Sequence, residues 1–474
     1  MDAPVPALEA RARACADALL DADRVLLASH IDADGLTSAA VAATALRRAG
    51  IPFETVFEKQ LDADAIAGIA TRGYDTVLFT DFGSGQLDII ADYESAAGFT
   101  PVVADHHQPA DADTEFHLNP LLEGIDGASE LSGAGAAYVL ARALAARGPD
   151  GRLGNRDLAA LAVVGAVGDM QASGGKLHGA NASIVAEGVD AGVLAETKDL
   201  SVYGKQTRPL PKLLEYASDV RIPGITNDER GAVSFLDDLA VDCRANGEWK
   251  RWVDLTDDEK QSVASALVQH AVARGVPTFK IDRLVGTTYV LEEEAVGTAL
   301  RDASEFSTLL NATARYERAD VGLAVCLGDR GEALDRAREL LRTHRRNLSE
   351  GIEWVEGHGV TTEEHLQWFD AGDEIRETIV GIIAGMSMSA DDVSREMPIV
   401  AFARKSDEET KVSGRGTGPL VSRGLDLSAV MTEAARAAGG DGGGHDVAAG
   451  ATIPAGSEAA FIEHADEIVG EQLD

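Results

Sequence analysis

The stretch that decides the fold is RVLLASHIDADG, residues 24–35, in which a short apolar run is followed by three polar side chains. The apolar part predicts a buried β-strand, and His30, Asp32 and Asp34 come at its carboxyl end. Because these three residues alternate along the chain, an extended backbone would direct all three side chains to one side. The pattern therefore indicates a polar site at the end of a strand.

The same order, an apolar segment followed by polar residues, recurs three times in the first part of the chain. The further polar residues are Asp81 after the predicted strand 76–80, Asp105, His106 and His107 after the predicted strand 100–104, and Asp169 after an apolar run at 158–167 that predicts a buried helix. A single Asp in such a position is usually a helix cap or part of a turn. Four such positions together favour one common site.

Predicted strands alternate with Ala-rich helical segments over residues 1–195, which predicts a parallel sheet covered on both faces. We expect an α/β protein of two lobes, with this parallel-sheet domain first and a smaller α/β domain over 346–474. A helical middle region over 196–345 would join them, with a helix at 257–273. Its stretch VYGKQTRPLPK, residues 202–212, is typical of an exposed linker.

The formal net charge is -37, with 10 lysines against 32 arginines in 474 residues. The acidic residues are spread along the whole chain, which predicts a halophilic protein whose self-repulsion is screened by molar salt. This charge excludes a protein that coats nucleic acid through a generally basic surface, but it does not exclude a local basic groove.

Cysteine content and hydropathy exclude other classes of protein. Cys15, Cys243 and Cys326 lie far apart in the chain, which excludes a disulfide scaffold and a zinc ribbon. No apolar run reaches the roughly 18 residues that span a membrane, so we expect no membrane partner. The first residues lack the layout of a signal peptide, and we expect a cytoplasmic location.

Carboxylates and imidazoles gathered at strand ends are suited to divalent metal ions. Two ions held about 3.5–4 Å apart need a bridging carboxylate and further ligands on each ion. Imidazole ligands move the preference from Mg²⁺ toward Mn²⁺, and the lack of a cysteine in the pattern disfavours zinc. We therefore expect two divalent ions as cofactors, Mn²⁺ first and Mg²⁺ as the alternative.

Taken in order, HIDADG, Asp81, ADHH (104–107) and the Gly168-Asp169 pair resemble the four motifs of the DHH phosphoesterases. The C-terminal stretch GDGGGHDVAAG resembles the glycine-rich motif of the DHH-associated C-terminal domain. The stretch DASEFSTLLNATARYERADVGLAVCLGD, residues 302–329, is similar to the RecJ-like branch, archaeal members in particular. The likeness is weakest over about 200–290.

The resemblance implies a role for each motif residue. His30 and Asp32 would hold one metal ion, Asp34, His106 and Asp169 would hold the other, and Asp81 would bridge both. Asp105 would orient His106, and His107 would contact the scissile phosphate or assist the leaving group.

The resemblance also implies a substrate-binding end in the C-terminal domain. Gly442, Gly443 and Gly444 would allow close backbone approach to a phosphate, with His445 and Arg415 as further donors. The plain alternatives are a flexible loop for the glycines and a surface ion pair for the arginine. Asn311 and Arg315 are further candidates for the substrate cleft, with a helix surface as the alternative.

The function expected from the resemblance is a single-strand-specific exonuclease on DNA or RNA that releases mononucleotides. One alternative is a phosphodiesterase for short oligoribonucleotides or cyclic dinucleotides, although such relatives tend to lack a long middle region. A second alternative is a replication factor with a structural role as a partner of GINS. A type II inorganic pyrophosphatase shares the four motifs but spaces the first one more widely.

Overall fold

The computed structural model describes residues 3–96, 98–147, 154–172, 175–217, 220–388, 390 and 393–473. The chain divides into two compact units, residues 1–338 and 339–474. The division into three parts made from the sequence stays a prediction.

The N-terminal unit is built on a five-stranded parallel sheet with the strand order β2-β1-β3-β4-β5, which confirms the predicted α/β class. The strands are β1 (Val25–His30), β2 (Phe53–Glu58), β3 (Thr76–Thr80), β4 (Thr100–Ala104) and β5 (His117–Leu118). Almost every residue of β1, β3 and β4 is buried, as expected of continuous apolar strands covered on both faces. Strand β2 was not predicted, because this edge strand carries Glu54 and Glu58 and is only partly buried.

Helices pack on both faces of this sheet. Leu26, Val77 and Phe79 form a core with the helices at Ala63–Ala70 and Leu87–Ser95, and the remaining helices contact the strands or one another on the other side. The helices of this part are α1 (Glu9–Asp21), α2 (Ala33–Ala49), α3 (Ala63–Ala70), α4 (Leu87–Ser95), α5 (Gly133–Arg147), α6 (Ala159–Gly168) and α7 (Gly179–Asp190). The buried helix predicted at 158–167 is therefore confirmed as α6.

The middle of the chain forms a helical segment with its own core, flanked by an antiparallel ribbon. The ribbon pairs β6 (Leu194–Leu200) with β9 (Val285–Leu291), and β7 (Arg244–Ala245) pairs with β8 (Glu248–Trp249). The helices are α8 (Leu210–Glu215), α9 (Glu229–Asp237), α10 (Asp257–Ala273), α11 (Thr278–Ile281), α12 (Ala303–Arg315) and α13 (Ala319–Cys326). The helix predicted at 257–273 is confirmed.

The exposed linker predicted at 202–212 is wrong. Val202, Lys205, Gln206 and Leu210 are all buried. This polar stretch is buried because it packs against a residue far away in the sequence. The carboxylate of Glu305 accepts hydrogen bonds from the backbone amide of Gln206 and from the Thr207 hydroxyl.

The C-terminal unit is a smaller α/β domain, as predicted. Its six-stranded sheet has the order β10-β11-β12-β13-β15-β14 and is antiparallel except between β11 and β12. The strands are β10 (Thr361–Thr362), β11 (Gln367–Asp370), β12 (Ile399–Arg404), β13 (Glu409–Arg415), β14 (Asp441–Gly444) and β15 (Ala448–Pro454). The helices are α14 (Glu332–His358), which contains the boundary between the units, α15 (Val380–Ser387), α16 (Gly418–Arg423), α17 (Leu427–Ala437) and α18 (Glu458–Leu473).

Among the described residues, no helix combines the length and the apolar character needed to cross a membrane. All three cysteines are buried free thiols.

The buried carboxylate of Glu305 predicts a pH-dependent stability. Burial raises the pKa of Glu305 from 4.5 to about 7, although its two hydrogen bonds oppose the rise. The folded state therefore binds this proton more tightly, so the stability contributed by Glu305 is present below pH 4.5 and is lost as the pH rises through 7. We expect the free energy of unfolding of wild type, relative to Glu305→Gln, to fall by about 3 kcal/mol across this interval.

Denaturant unfolding of both proteins at several pH values measures this difference. The exposed Glu293 offers a matched control, since the free energy of unfolding of Glu293→Gln should depend on pH as that of wild type does. The same pH dependence in wild type and Glu305→Gln would contradict the prediction.

Candidate metal centre

Three neighbouring strands of the N-terminal sheet end in polar residues at the same edge of the sheet. His30 ends β1, Asp81 follows β3, and Asp105 follows β4 with His106 and His107 behind it. Asp169 comes from a different element, the residue that caps the C-terminus of α6. The structure thus brings together the polar residues that the sequence placed at four separate positions.

The expectation that His30, Asp32 and Asp34 point to one side is wrong. Asp32 is the last extended residue and caps α2, accepting a hydrogen bond from the Gly35 amide, whereas Asp34 already lies in the first turn of that helix. The change from extended to helical backbone turns Asp34 away from the other two residues. It therefore joins a second group of side chains.

The first group consists of His30, Asp32 and Asp81, whose candidate ligand atoms all lie within 4.8 Å of one another. His30 Nδ1 is 3.2 Å from Asp32 Oδ2 and 3.6 Å from Asp81 Oδ2. His30 and Asp32 are partly exposed and Asp81 is buried, so the group is open on one side.

The second group consists of Asp34, His106 and Asp169, again with candidate ligand atoms within 4.8 Å of one another. His106 lies between the carboxylates, with Nε2 3.8 Å from Asp34 Oδ2 and Nδ1 3.8 Å from Asp169 Oδ2. Asp34 and His106 are buried and Asp169 is partly exposed.

Asp81 lies between the two groups. Its Oδ2 faces His30, and its Oδ1 is 3.3 Å from His106 Nε2. Oδ1 is fully buried and accepts no well-aligned hydrogen bond from any group in the described part of the chain. Asp81 also has a backbone φ of +61°, a left-handed conformation that is uncommon outside glycine and is often found at functional sites.

The electrostatics of the cluster are those of carboxylates that need a cation. Burial, followed by the charges of Asp81 and Asp169, raises the pKa of Asp34 well above its usual range. Burial also raises the pKa of Asp169, to about 6. At Asp81 burial acts in the same direction, but contacts with His106 and His30 outweigh it and lower the pKa.

The same contacts act on the imidazoles. Burial alone lowers the pKa of His30, yet its contacts with Asp32 and Asp81 raise it to about 11. Divalent ions bind carboxylate oxygen and neutral imidazole nitrogen, and they supply the positive charge that these protons otherwise provide. The donor set and the orphaned Asp81 Oδ1 therefore fit divalent metal ions.

Asp105 contacts His107 and not the ring of His106, which corrects the expected role. The fully buried Asp105 accepts a hydrogen bond from His107 Nδ1 at 2.8 Å and one from each backbone amide of His106 and His107. His106 is oriented instead by the Gly127 carbonyl, 2.7 Å from its Nδ1. The His107 hydrogen bond to Asp105 raises the pKa of His107, and its side chain is 55% exposed.

Sequence reasoning missed the residues that hold the candidate ligands. Gln171 donates to Asp169 Oδ2 and to the Gly127 carbonyl, both at 2.8 Å. The Ser84 amide donates to Asp105 Oδ2, and Asn119 donates to the Ser84 hydroxyl. The nearness in sequence of Ser84 to Asp81 and of Gln171 to Asp169 is a weak signal, whereas nothing local marks Asn119.

The N-terminus of α5 binds Asp34. Gly133 and Ala134 donate their amides to the two carboxylate oxygens at 2.7 and 3.0 Å, which uses two of the unpaired amides of a helix start. A Cβ at Gly133 would lie 2.2 Å from Asp81 Oδ1. Glycine is therefore needed here for close approach to both carboxylates.

Asn311 and Arg315 lie on α12. Asn311 Oδ1 accepts a hydrogen bond from the backbone amide of Ala33 at 3.0 Å, so it contacts the start of α2 between Asp32 and Asp34. Arg315 is exposed on the helix.

The predicted substrate-binding residues of the C-terminal unit gather at one end of its sheet. Arg415 pairs in register with Ala448 of β15, and the adjacent Ala449 pairs with Gly444 of β14. Arg415 is partly buried, and its Nη1 donates to the Gly414 carbonyl at 2.7 Å. The rest of the predicted set is Gly442 and Gly443, which are partly buried in β14, and His445, which is exposed after it.

Family models match most of the chain. Residues 24–166 match the DHH family N-terminal domain, 202–285 the DHH-CID domain and 365–471 the DHHA1 domain. An uncharacterized protein of Methanocaldococcus jannaschii is 30% identical over 453 residues, which cover 94% of this chain and 93% of that protein. The single-stranded-DNA-specific exonuclease RecJ of Dickeya dadantii is 31% identical over 139 residues, or 27% of this chain and 24% of that protein.

Solved structures share the fold. RecJ from Thermus thermophilus in complex with Mn²⁺ matches 99% of this chain at 18% identity and a TM-score of 0.59. The chain spans only 55% of that RecJ chain. CDC45 from Entamoeba histolytica matches with a TM-score of 0.64 at 12% identity, over 97% of both chains.

The close approach at Gly133 predicts that Gly133→Ala weakens metal binding. The added methyl group would displace Asp81, and movement of the α5 N-terminus would release Asp34. We expect the Mn²⁺ affinity measured by isothermal titration calorimetry to fall about tenfold or more. Gly68→Ala is the matched control, since a Cβ at Gly68 meets nothing within 4 Å. Unchanged affinity in a folded Gly133→Ala protein would contradict the assignment.

Proposed function

The chain belongs to the RecJ-like DHH superfamily, and from this premise we propose that it is a single-strand-specific exonuclease that releases mononucleotides. Family and fold support the broader class, a DHH phosphoesterase and hence a hydrolase. The name of the Dickeya dadantii relative, a single-stranded-DNA-specific exonuclease, supports the exonuclease activity within that class.

The observation that carries the proposal is the pair of carboxylate–imidazole groups between which Asp81 lies, with one oxygen facing His30 and the other facing His106. A phosphodiester is cleaved most readily where two divalent ions lie side by side, and a shared carboxylate is the ligand that such a pair requires. Each motif position of the chain holds a residue able to act as a ligand.

In the proposed enzyme, His30 and Asp32 would hold one divalent ion, Asp34, His106 and Asp169 would hold the other, and Asp81 would serve both. When bound, such ions neutralise phosphoryl oxygens and lower the pKa of water, with Mn²⁺ favoured and Mg²⁺ as the alternative. The chain holds these ligands in fixed positions. Backbone amides at the start of α5 donate to Asp34, and the side-chain amide of Gln171 donates to Asp169.

His107 is the proposed contact to the substrate. Its imidazole is exposed beside the buried groups, and Asp105 holds its Nδ1, which leaves Nε2 for the scissile phosphate or the leaving oxygen. In the C-terminal unit, Arg415 and His445 would add cationic or donor groups for a phosphate, and the backbone of Gly442, Gly443 and Gly444 would allow close approach.

A second candidate function is a replication factor with a structural role as a partner of GINS. The fold likeness to CDC45, which extends over 97% of both chains, favours it. The intact set of carboxylates and imidazoles favours the enzyme instead, since a structural role needs none of them. A phosphodiesterase for short oligoribonucleotides or cyclic dinucleotides uses the same centre and differs only in substrate.

Hydrolysis of end-labelled single-stranded DNA, single-stranded RNA and a dinucleotide with Mn²⁺ in molar potassium chloride tests the proposal. We expect laddered degradation of the long strands and a loss of at least about a hundredfold in Asp81→Asn, because both ions lose a ligand. Asp92→Asn, on the exposed side of α4, is the matched control and should retain full activity.

Cleavage of the dinucleotide alone would favour the short-substrate enzyme. No hydrolysis by folded protein that binds Mn²⁺ would favour the structural role in replication.

The position of His107 predicts a separation between catalysis and metal binding. In His107→Gln we expect kcat to fall roughly 10²–10⁴-fold, the usual range for a group that assists proton transfer. The Mn²⁺ concentration for half-maximal activity should stay unchanged, because the proposed ligands remain in place. A parallel loss of Mn²⁺ affinity would instead make His107 a metal ligand.

A further inference from the structure

A cavity of about 640 Å³ lies in the N-terminal unit, between the β6–β9 ribbon and helix α10. None of the candidate metal-centre residues is among the described side chains that line it. Its volume is within the roughly 300–1,000 Å³ typical of small-molecule sites. The inference drawn from it does not depend on the proposed exonuclease activity.

One wall of the cavity is apolar. It includes Leu200 and Val285 of the ribbon, Ala264 of α10 and the buried Trp252. The Trp252 indole N–H is already used, since it donates to Asp199 Oδ1 at 2.9 Å. This wall suits the organic body of a ligand.

The cationic lining is unusual for this chain. Lys198, Lys205, Lys260 and Arg301 all line the cavity. Three of the ten lysines in a chain of net charge -37 thus meet at one place. Such a local concentration of positive charge within an acidic protein attracts anions.

Two of the carboxylates that line the cavity accept hydrogen bonds from groups of the protein itself. Asp199 Oδ1 also accepts from the Leu200 amide, and Asp302 caps α12 by accepting from the Ser304 and Glu305 amides. Asp257, in the first turn of α10, is fully exposed and lies 3.9 Å from the Lys260 ammonium. The lining has four cations and three carboxylates, and one of the cations, Arg301, pairs with Glu292 outside the lining.

Lys205 lines the cavity, and its ammonium has one acceptor at hydrogen-bond distance among the described residues. The residue is only 6% exposed, and its ammonium donates to Thr288 Oγ1 at 2.7 Å. The ammonium also forms ion pairs with Asp199 and Asp302, whose carboxylate oxygens lie 3.8 and 3.6 Å away, farther than a hydrogen bond allows. An ammonium has three donors, so two lack an acceptor at hydrogen-bond distance among the described residues.

A buried donor without an acceptor costs free energy, and oxygen atoms supplied by a bound molecule would remove that cost. A phosphoryl group presents several charged oxygens and can accept from more than one lysine at once. We propose that this cavity is a second ligand site that binds a phosphorylated small molecule of nucleotide size. Lys205 contacts its phosphoryl oxygens, with Lys198 and Lys260 beside it.

Calorimetric titration of the full chain with adenosine monophosphate, inorganic phosphate and adenosine tests this site. A chelator in the buffer keeps divalent ions, and with them the metal centre, out of the measurement. The potassium chloride concentration should be the lowest at which circular dichroism shows a folded protein, since salt screens the attraction. We expect saturable binding of the monophosphate, weaker binding of inorganic phosphate and no binding of adenosine.

Lys205→Met keeps the volume of the side chain and removes its charge. We expect it to weaken binding of the monophosphate about tenfold or more. The exposed Lys280 lies outside the cavity lining, and Lys280→Gln should bind as wild type does. Should Lys205→Met not fold, the double variant Lys198→Gln and Lys260→Gln changes partly or fully exposed side chains and is expected to weaken binding likewise.

Three results would overturn the proposal. One is a lack of binding by both the monophosphate and inorganic phosphate. Another is adenosine binding as tightly as its monophosphate. The last is an affinity that the lysine variants leave unchanged, which would place any bound anion elsewhere on the chain.

Discussion

The carboxylate of Asp81 is buried at the end of β3, where its negative charge requires a cation or a protonated imidazole beside it. Its two oxygens face the imidazoles of His30 and His106, which belong to two different groups of candidate ligands. Because β1, β3 and β4 are parallel neighbours, their carboxyl ends meet at this point. The pairing of three apolar strands thus determines where the charged side chains of the centre lie.

Helices hold the rest of the centre in place. The N-terminus of α5 donates two backbone amides to Asp34, and α6 ends at Asp169. Asn311 of α12 accepts from the Ala33 amide at the start of α2. The contacts to Asp34 and to Ala33 act through backbone amides and the partly buried side chain of Asn311. A centre built in this way is organised before any ion binds.

Helix α12 also connects the centre with the middle of the chain. Its capping residue Asp302 lines the lysine-rich cavity, its Glu305 binds the backbone of Gln206, and its Asn311 contacts Ala33.

Overall charge and local charge have different roles in this unit. The net charge of -37 acts over the whole surface, whereas cations are concentrated at a cavity that the global value does not reveal.

The sequence by itself determined the fold class, the strands at Thr76–Thr80 and Thr100–Ala104, and the residue types at the strand ends, because apolar runs and their polar ends are local patterns. Only the tertiary structure decided that Asp34 joins His106, that Asp105 contacts His107, and that residues 202–212 are largely buried. Contacts such as that of the Gly133 amide with Asp34 join residues 99 positions apart. No local pattern encodes them, since they exist only once the strands and helices have packed.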